Sequence, residues 1–151
     1  DPEAVVKELS EQKAAEVAKN VEDGIIIGAD TVVAYQGEIM GKPKDEQDAF
    51  RMLKALQGNT HQVYTGVTII RKKAGEEATR TVFAEKTEVV FFETEDEDLK
   101  RYIRTGDCMD KAGSYGIQTA GGFLVKEIHG DYNNVVGLPA AKVKRILDSL
   151  Q

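Results

Sequence analysis

Residues Gly24–Tyr35 read GIIIGADTVVAY, with three isoleucines leading in, two valines leading out and an ionisable Asp30 between them. The unbroken β-branched run is the strongest strand signal in the chain and predicts a strand over residues 25–35, covered on both faces. Burying a lone carboxylate costs several kcal/mol or forces its pKa upward. Asp30 therefore needs a partner, a strand end open to water, or a cation. Side-chain alternation puts Asp30 on one face with Gly28 and Val32, and Thr31 on the other. Gly28 removes bulk beside the carboxylate, leaving room for a ligand or for another backbone. A structural pair with a core lysine would satisfy Asp30 as well as a functional site would.

Upstream of this strand, Asp1-Pro2 reads as an N-cap followed by proline at the first helical position. Val6, Leu9, Val17 and Val21 then recur at helical spacing and predict the buried stripe of that helix, with Lys13 at its centre. A lysine there can cover apolar surface with its stem while its head reaches water. Downstream, YQGE predicts a turn into a short return strand ending at Met40. Asp45 caps a helix whose buried face is Ala49, Leu53 and Leu56 and which Gly58 ends. Residues 62–71 and 79–92 predict two long strands joined as a hairpin around KAGEE. Thr94 and Glu97 form a capping-box pattern for a helix that stops at Gly106. GFLVKEIHGD predicts another strand, and Val143, Ile146, Leu147 and Leu150 mark a C-terminal helix. With no repeat, linker or low-complexity segment, residues 1–151 read as a single α/β domain with long, mixed strands.

The bulk numbers narrow the function. A chain of 151 residues can bury a real core. Its 41% hydrophobic and 30% charged residues are those of a globular protein. A net charge of −6, with no block of Lys or Arg, argues against nucleic-acid or acidic-membrane partners while leaving room for a small basic pocket. No apolar run approaches the roughly 20 residues of a membrane span. A single cysteine, Cys108, rules out an internal disulfide and fits a reducing cytoplasm. Two histidines and one cysteine make a structural zinc site unexpected.

Two further stretches bear on Asp30. MGKPK holds Lys42 in a rigid turn, and MDKAGSYGIQTAGG packs Asp110, Lys111, Tyr115 and Gln118 into a loop with four glycines. Glycines let backbone N–H groups approach an anion, and lysines supply point charges for phosphates. Taken alone, Lys42 reads more readily as a surface lysine and the glycine-rich loop as a plain connection, and neither is a Walker A loop or a dinucleotide fingerprint. His61 and His129 read as surface or hydrogen-bonded histidines, and Cys108 and Ser114 lack the context of nucleophiles. The acidic run ETEDED reads as a helix start facing solvent.

Taken in order, QKA (12–14), GADT (28–31), GKP (41–43), LQGNTHQVYTGV (56–67), DKAGSYGIQ (110–118) and VVGLP (135–139) resemble the Maf family of nucleotide pyrophosphatases, first named for an association with septum formation. The resemblance implies a two-lobed α/β fold, related in architecture to inosine triphosphate pyrophosphatases, with a cleft between the lobes. It implies hydrolysis of a nucleoside triphosphate to the monophosphate and pyrophosphate with a divalent metal, Mg²⁺ or Mn²⁺. It makes Asp30 the catalytic carboxylate and metal ligand, and Lys13, Lys42 and Lys111 active-site cations. Thr after that Asp, with YGIQ, is similar to the branch acting on dTTP and UTP, with Thr31 and Gln118 as specificity positions. A carboxylate with an ordinary pKa is a poor base for free water, so metal-assisted activation is expected. A modified purine substrate, or a nucleotide-binding regulator without turnover, stays open as an alternative, and a homodimer is compatible with the family analogy. The family's opening strand, its Ser-Pro-Arg-Arg-type loop and a following acid have no counterpart ahead of Asp1. A chain without them is expected to lose phosphate-binding arginines, to be impaired in its own activity and to expose a sheet edge.

Overall fold

The computed structural model describes residues 1–150. Helix α1 (Pro2–Ala18) starts where the Asp1 side chain accepts from Glu3 N at 3.1 Å, with proline in the first turn. Strand β1 (Gly24–Tyr35) turns through Gln36 and Gly37 into β2 (Glu38–Met40). Both turn residues have positive φ, 50° and 80°, which matches the twist of a two-residue hairpin. Helix α2 (Glu46–Leu56) follows, capped by Asp45 accepting from Asp48 N at 2.8 Å. Strands β3 (Thr60–Lys72) and β4 (Thr79–Phe91) form the expected long hairpin. After α3 (Asp96–Arg104) come three short 3-10 turns (Asp107–Asp110, Ala112–Ser114 and Ala120–Leu124), then β5 (Val125–His129), α4 (Tyr132–Val136) and α5 (Ala140–Ser149).

The described residues form a five-stranded sheet in the order β2-β1-β3-β4-β5, and every pairing in it is antiparallel rather than mixed. Hairpin turns join β1 to β2 and β3 to β4, and such tight turns permit no other orientation. The GFLVKEIHGD stretch is strand only over Val125–His129, because Ala120–Leu124 coils into a 3-10 turn. The capping box at Thr94 does not form. Glu95 is the N-cap without a side-chain bond, while Thr94 Oγ1 donates to the Phe92 carbonyl at 3.1 Å.

Two lobes flank the cleft. In one, α2, α3 and the 3-10 turns enclose a core of Met40, Leu53, Leu56, Phe91, Leu99 and Leu124. In the other, α1 covers one face of the sheet through Ala14, Ala18, Ile26 and Ile70, and α5 covers the opposite face through Val143, Val67 and Ile69. Strand β1 is not fully covered on both faces, for Ile25 and Ile27 stay exposed.

The seat of α1 corrects the expected stripe. Val6, Ser10, Ala14 and Ala18 are buried, while Leu9 and Val17 are exposed. Glycines in the sheet cause the difference. A Cβ on Gly28 would lie 2.6 Å from Ser10 O and 2.8 Å from Ala14 N, and one on Gly66 would collide with the Val6 carbonyl. The helix backbone therefore rests directly on β1 and β3, and only short side chains fit beneath it. Leu9, Lys13 and Val17 ride on the flank of that seat.

Candidate active site

Between the lobes lies a cleft of about 540 Å³, in the size range of small-molecule sites. Lys13, Asp30, Thr31, Lys42, Lys111 and Gln118 all line it, together with Asp110, Tyr115 and residues 135–137. Its wall carries three lysines against two carboxylates, a local excess of positive charge in a chain of net charge −6. Such a concave basic lining attracts anions.

The close seat of α1 brings Lys13 to Asp30. Lys13 Nζ donates to Asp30 Oδ1 at 2.6 Å and to the Ala29 carbonyl at 3.3 Å. The lysine side chain is 57% exposed and the aspartate 17%, so the carboxylate looks into the cleft with a cation across its mouth. Asp30 also sits opposite Gly66 in the β1–β3 register, where no side chain crowds it. Lys42, on the turn after β2, is exposed and has no ion-pair partner among the described residues, which leaves its ammonium available to a ligand.

Lys111 is arranged differently from the shared cluster that its motif suggests. Its ammonium donates to Asp107 O at 2.7 Å, Asp107 Oδ1 at 3.2 Å and Asp110 Oδ1 at 3.0 Å. Burial would lower the Lys111 pKa, but the hydrogen bonds and charges of Asp110 and Asp107 outweigh it and the net shift is upward, so the group stays a cation. Burial likewise opposes ionisation of Asp107, yet the donors Thr119, Tyr102 and Lys111 hold it below the usual carboxylate range.

The two expected specificity positions divide. Gln118 is exposed in the cleft and its amide has no partner among the described residues, so a donor and an acceptor face the ligand space. Thr31 is engaged. Its hydroxyl donates to the Gly137 carbonyl at 3.3 Å and lies 2.9 Å from Thr65 Oγ1, which braces the wall that follows α4.

Sequence reasoning missed what holds that wall. Asn134 is fully buried, and its amide nitrogen donates to Val63 O, Glu85 O and Thr87 Oγ1 at 3.0 to 3.2 Å. It pins α4 across β3 and β4 and so fixes residues 135–137. The available signal was Asp131, whose side chain caps α4 by accepting from Asn133 N and Asn134 N. His61 is also fully buried, with Nε2 2.8 Å from the Tyr115 hydroxyl and an edge-on contact with Phe91. Burial lowers its pKa to about 4, so it is a neutral prop beneath the cleft floor rather than a base at neutral pH. Cys108 is buried with its thiol pKa raised by desolvation, and Ser114 Oγ donates to Met52 Sδ at 3.1 Å. Neither is poised as a nucleophile.

Among the described residues no three His, Cys, Asp or Glu side chains converge on a metal position. Mg²⁺-type ions keep several waters and need one or two carboxylates plus substrate phosphates. The donor set fits that requirement, with Asp30 as the carboxylate and a polyphosphate supplying the remaining oxygens, but it does not fit a cage built wholly from protein.

The family described as Maf-like protein matches residues 1–150. A protein of Agathobacter rectalis named dTTP/UTP pyrophosphatase is 51% identical, over 99% of this chain and 80% of its own length. Proteins of the same name from Clostridium novyi and Bacillus cereus are each 49% identical, covering 96% and 97% of this chain and 75% and 74% of theirs. A match over residues 1–150, joined to relatives near half identity, shows that the chain belongs to the Maf-like protein family.

Proposed function

We propose that the chain, acting as one domain, is a nucleoside triphosphate pyrophosphatase that hydrolyses dTTP and UTP to the monophosphate and pyrophosphate. The observation that carries this reading is the cleft in which Asp30, bonded to Lys13, shares a wall with Lys42, Lys111 and the free amide of Gln118. The lining combines cations for a polyphosphate with a donor and an acceptor for a base edge. The names of the relatives support the same substrates.

In this reading Lys42 and Lys111 neutralise the polyphosphate so that water can approach the α-phosphorus. Asp30 orients the attacking water and accepts its proton late, as the new P–O bond forms and the α–β phosphoanhydride breaks, when the partly bonded water is far more acidic than free water. Lys13 holds the carboxylate in place and is near enough to meet charge growing on the phosphoryl oxygens. A divalent cation, Mg²⁺ or Mn²⁺, bound at Asp30 would supply further charge neutralisation and lower the pKa of a bound water. The Gln118 amide pairs with the N3–H and carbonyl edge of uracil or thymine, both of which present that pattern.

The test is pyrophosphate release from dTTP, UTP, CTP, ATP and GTP with Mg²⁺ or Mn²⁺. Fast release from dTTP and UTP is expected. Release confined to purine triphosphates would overturn the base assignment, and binding without release would overturn the enzymatic one.

A further inference from the structure

Asp107 lies outside the cleft lining, yet its carboxylate accepts three side-chain hydrogen bonds. Its Oδ2 accepts from the Tyr102 hydroxyl of α3 and from the Thr119 hydroxyl of the glycine-rich loop, both at 2.6 Å. Its Oδ1 and its carbonyl accept from Lys111. The Tyr102 hydroxyl also receives Gly116 N at 3.4 Å, which adds a backbone tie to the same loop. A single, mostly buried carboxylate thus joins the end of α3, the ammonium of Lys111 and the residue next to Gln118. Lysine has three N–H donors, and the oxygens of Asp107 and Asp110 occupy all of them. The two acids are not equivalent, because the Asp110 side chain is 80% exposed and that of Asp107 19%. Asp110 can swing into water and free one N–H for a phosphate oxygen, whereas Asp107 is fixed by Tyr102 and Thr119.

We propose that Asp107 is a positioning residue that aims the Lys111 ammonium at the polyphosphate and ties that aim to the loop carrying Gln118. The inference rests on the pyrophosphatase reading. Asp107 touches no substrate and acts through Lys111. In Asp107→Asn the remaining oxygen faces either the two hydroxyl donors or the ammonium, but not both. Keeping Tyr102 and Thr119 turns the amide NH₂ toward Lys111 and expels it from its slot.

Two readouts test this. Ammonium-selective heteronuclear NMR, with the Lys111 Nζ signal assigned by its loss in Lys111→Arg, is expected to show a protected signal in the parent and an exchange-broadened one in Asp107→Asn. In turnover, Asp107→Asn is expected to lower kcat about tenfold or more through misplacement of the cation. KM is expected to stay within about threefold, because loss of order and loss of a repelling negative charge act in opposite directions. In a Lys111→Ala background the same substitution is expected to change kcat less than about twofold. An equal loss of kcat in both backgrounds marks a merely structural role and overturns the proposal, as does an unchanged Lys111 signal. If Asp107→Asn fails to fold, Tyr102→Phe removes one donor to Asp107 and is read the same way. A parent chain that releases no pyrophosphate defeats the pyrophosphatase reading alone, and the Lys111 spectrum then still decides whether Asp107 holds the ammonium.

Discussion

Gly28→Ala is the sharpest test of how the fold places its chemistry. A methyl group at position 28 would stand 2.6 Å from Ser10 O, 2.8 Å from Ala14 N and 2.9 Å from Ala14 Cβ, where ordinary contacts begin at 3.4 Å. Two of these three atoms are backbone, so no rotamer change relieves them and α1 itself must retreat by about 0.8 Å. The pushed segment brackets Lys13, whose 2.6 Å bond to Asp30 would stretch to about 3.4 Å, the weak end of the hydrogen-bond range. Overpacking of this kind costs about 1–3 kcal/mol, against which the better strand propensity of alanine returns about 0.5–1 kcal/mol. The net loss is about 0–2.5 kcal/mol, which at roughly 2–4 °C per kcal/mol for a domain of this size lowers Tm by up to about 10 °C. Turnover falls more steeply, by about tenfold to a hundredfold, because displacing a catalytic group by about 1 Å is worth that much. Differential scanning calorimetry and pyrophosphate release measure the two. Adding Ala14→Gly removes the Cβ contact but neither backbone contact, so less than half of the loss is expected back. A Gly28→Ala protein that melts within about 1 °C of the parent and keeps full turnover would refute the close-seat argument.

Asp30→Asn is expected to leave Tm within about 2–3 °C of the parent, because its pair with a half-exposed lysine is worth about 1 kcal/mol at most, while turnover drops by at least about a hundredfold. Gln118→Ala is expected to raise KM for UTP and dTTP about tenfold and to narrow their advantage over CTP, since one hydrogen-bonded pair with a base edge is lost; equal KM values for parent and variant would oppose the base-edge role. His61, with its folded pKa depressed to about 4 from 6.5, stays neutral in the native state while the unfolded chain takes up a proton. Stability from this group is fully present above about pH 6.5 and is lost as pH falls toward about 4, by up to about 3 kcal/mol. In urea titrations across that window, His61→Gln is expected to flatten the pH dependence by about one proton, and an unchanged slope would count against the burial argument.

Much of the scaffold was legible because its signals are local. The β-branched run of β1, the β3–β4 hairpin, the Asp45 cap of α2 and the apolar spacing of α5 each depend on neighbours in sequence, and each appears within a residue or two of its expected place. Asp30, Lys13, Lys42, Lys111, Thr31 and Gln118 do line one cleft. What failed was non-local. The buried face of α1 is chosen by Gly28 and Gly66, which lie on two other elements and remove the side chains that Leu9 and Val17 would have packed against. Thr94 loses its capping role because the residues just past β4 and α2 claim it, its hydroxyl going to Phe92 O and its N–H to Gln57 Oε1 at 3.0 Å. Asn134 and Asp107 were invisible because a polar residue reveals its purpose only when its partners, here on β3, β4, α3 and a loop, are brought together by the fold.

The same contrast explains how strand β1 tolerates its carboxylate. Along the face that Asp30 shares, α1 covers Ile26 and Gly28 and then crosses onto Gly66 of β3, so that Asp30 lies beside the helix and lines the cleft. The carboxylate is therefore an edge group, bounded by the helix seat on one side and by cleft water on the other, and not a core ion pair. Its pairing with Lys13 adds little stability at that exposure. Nor do the glycines that bring the helix close favour stability on conformational grounds, since each loses more backbone entropy on folding than alanine would. The pair adds little to stability, yet it fixes a cation 2.6 Å from a carboxylate at the mouth of an anion-attracting cleft. A strand selected for stability alone would carry a β-branched residue at position 30, whereas glycine at 28 is required by the close seat of α1. Under the proposed function, the pairing of Asp30 with Lys13 is accounted for by the polyphosphate that the cleft would bind.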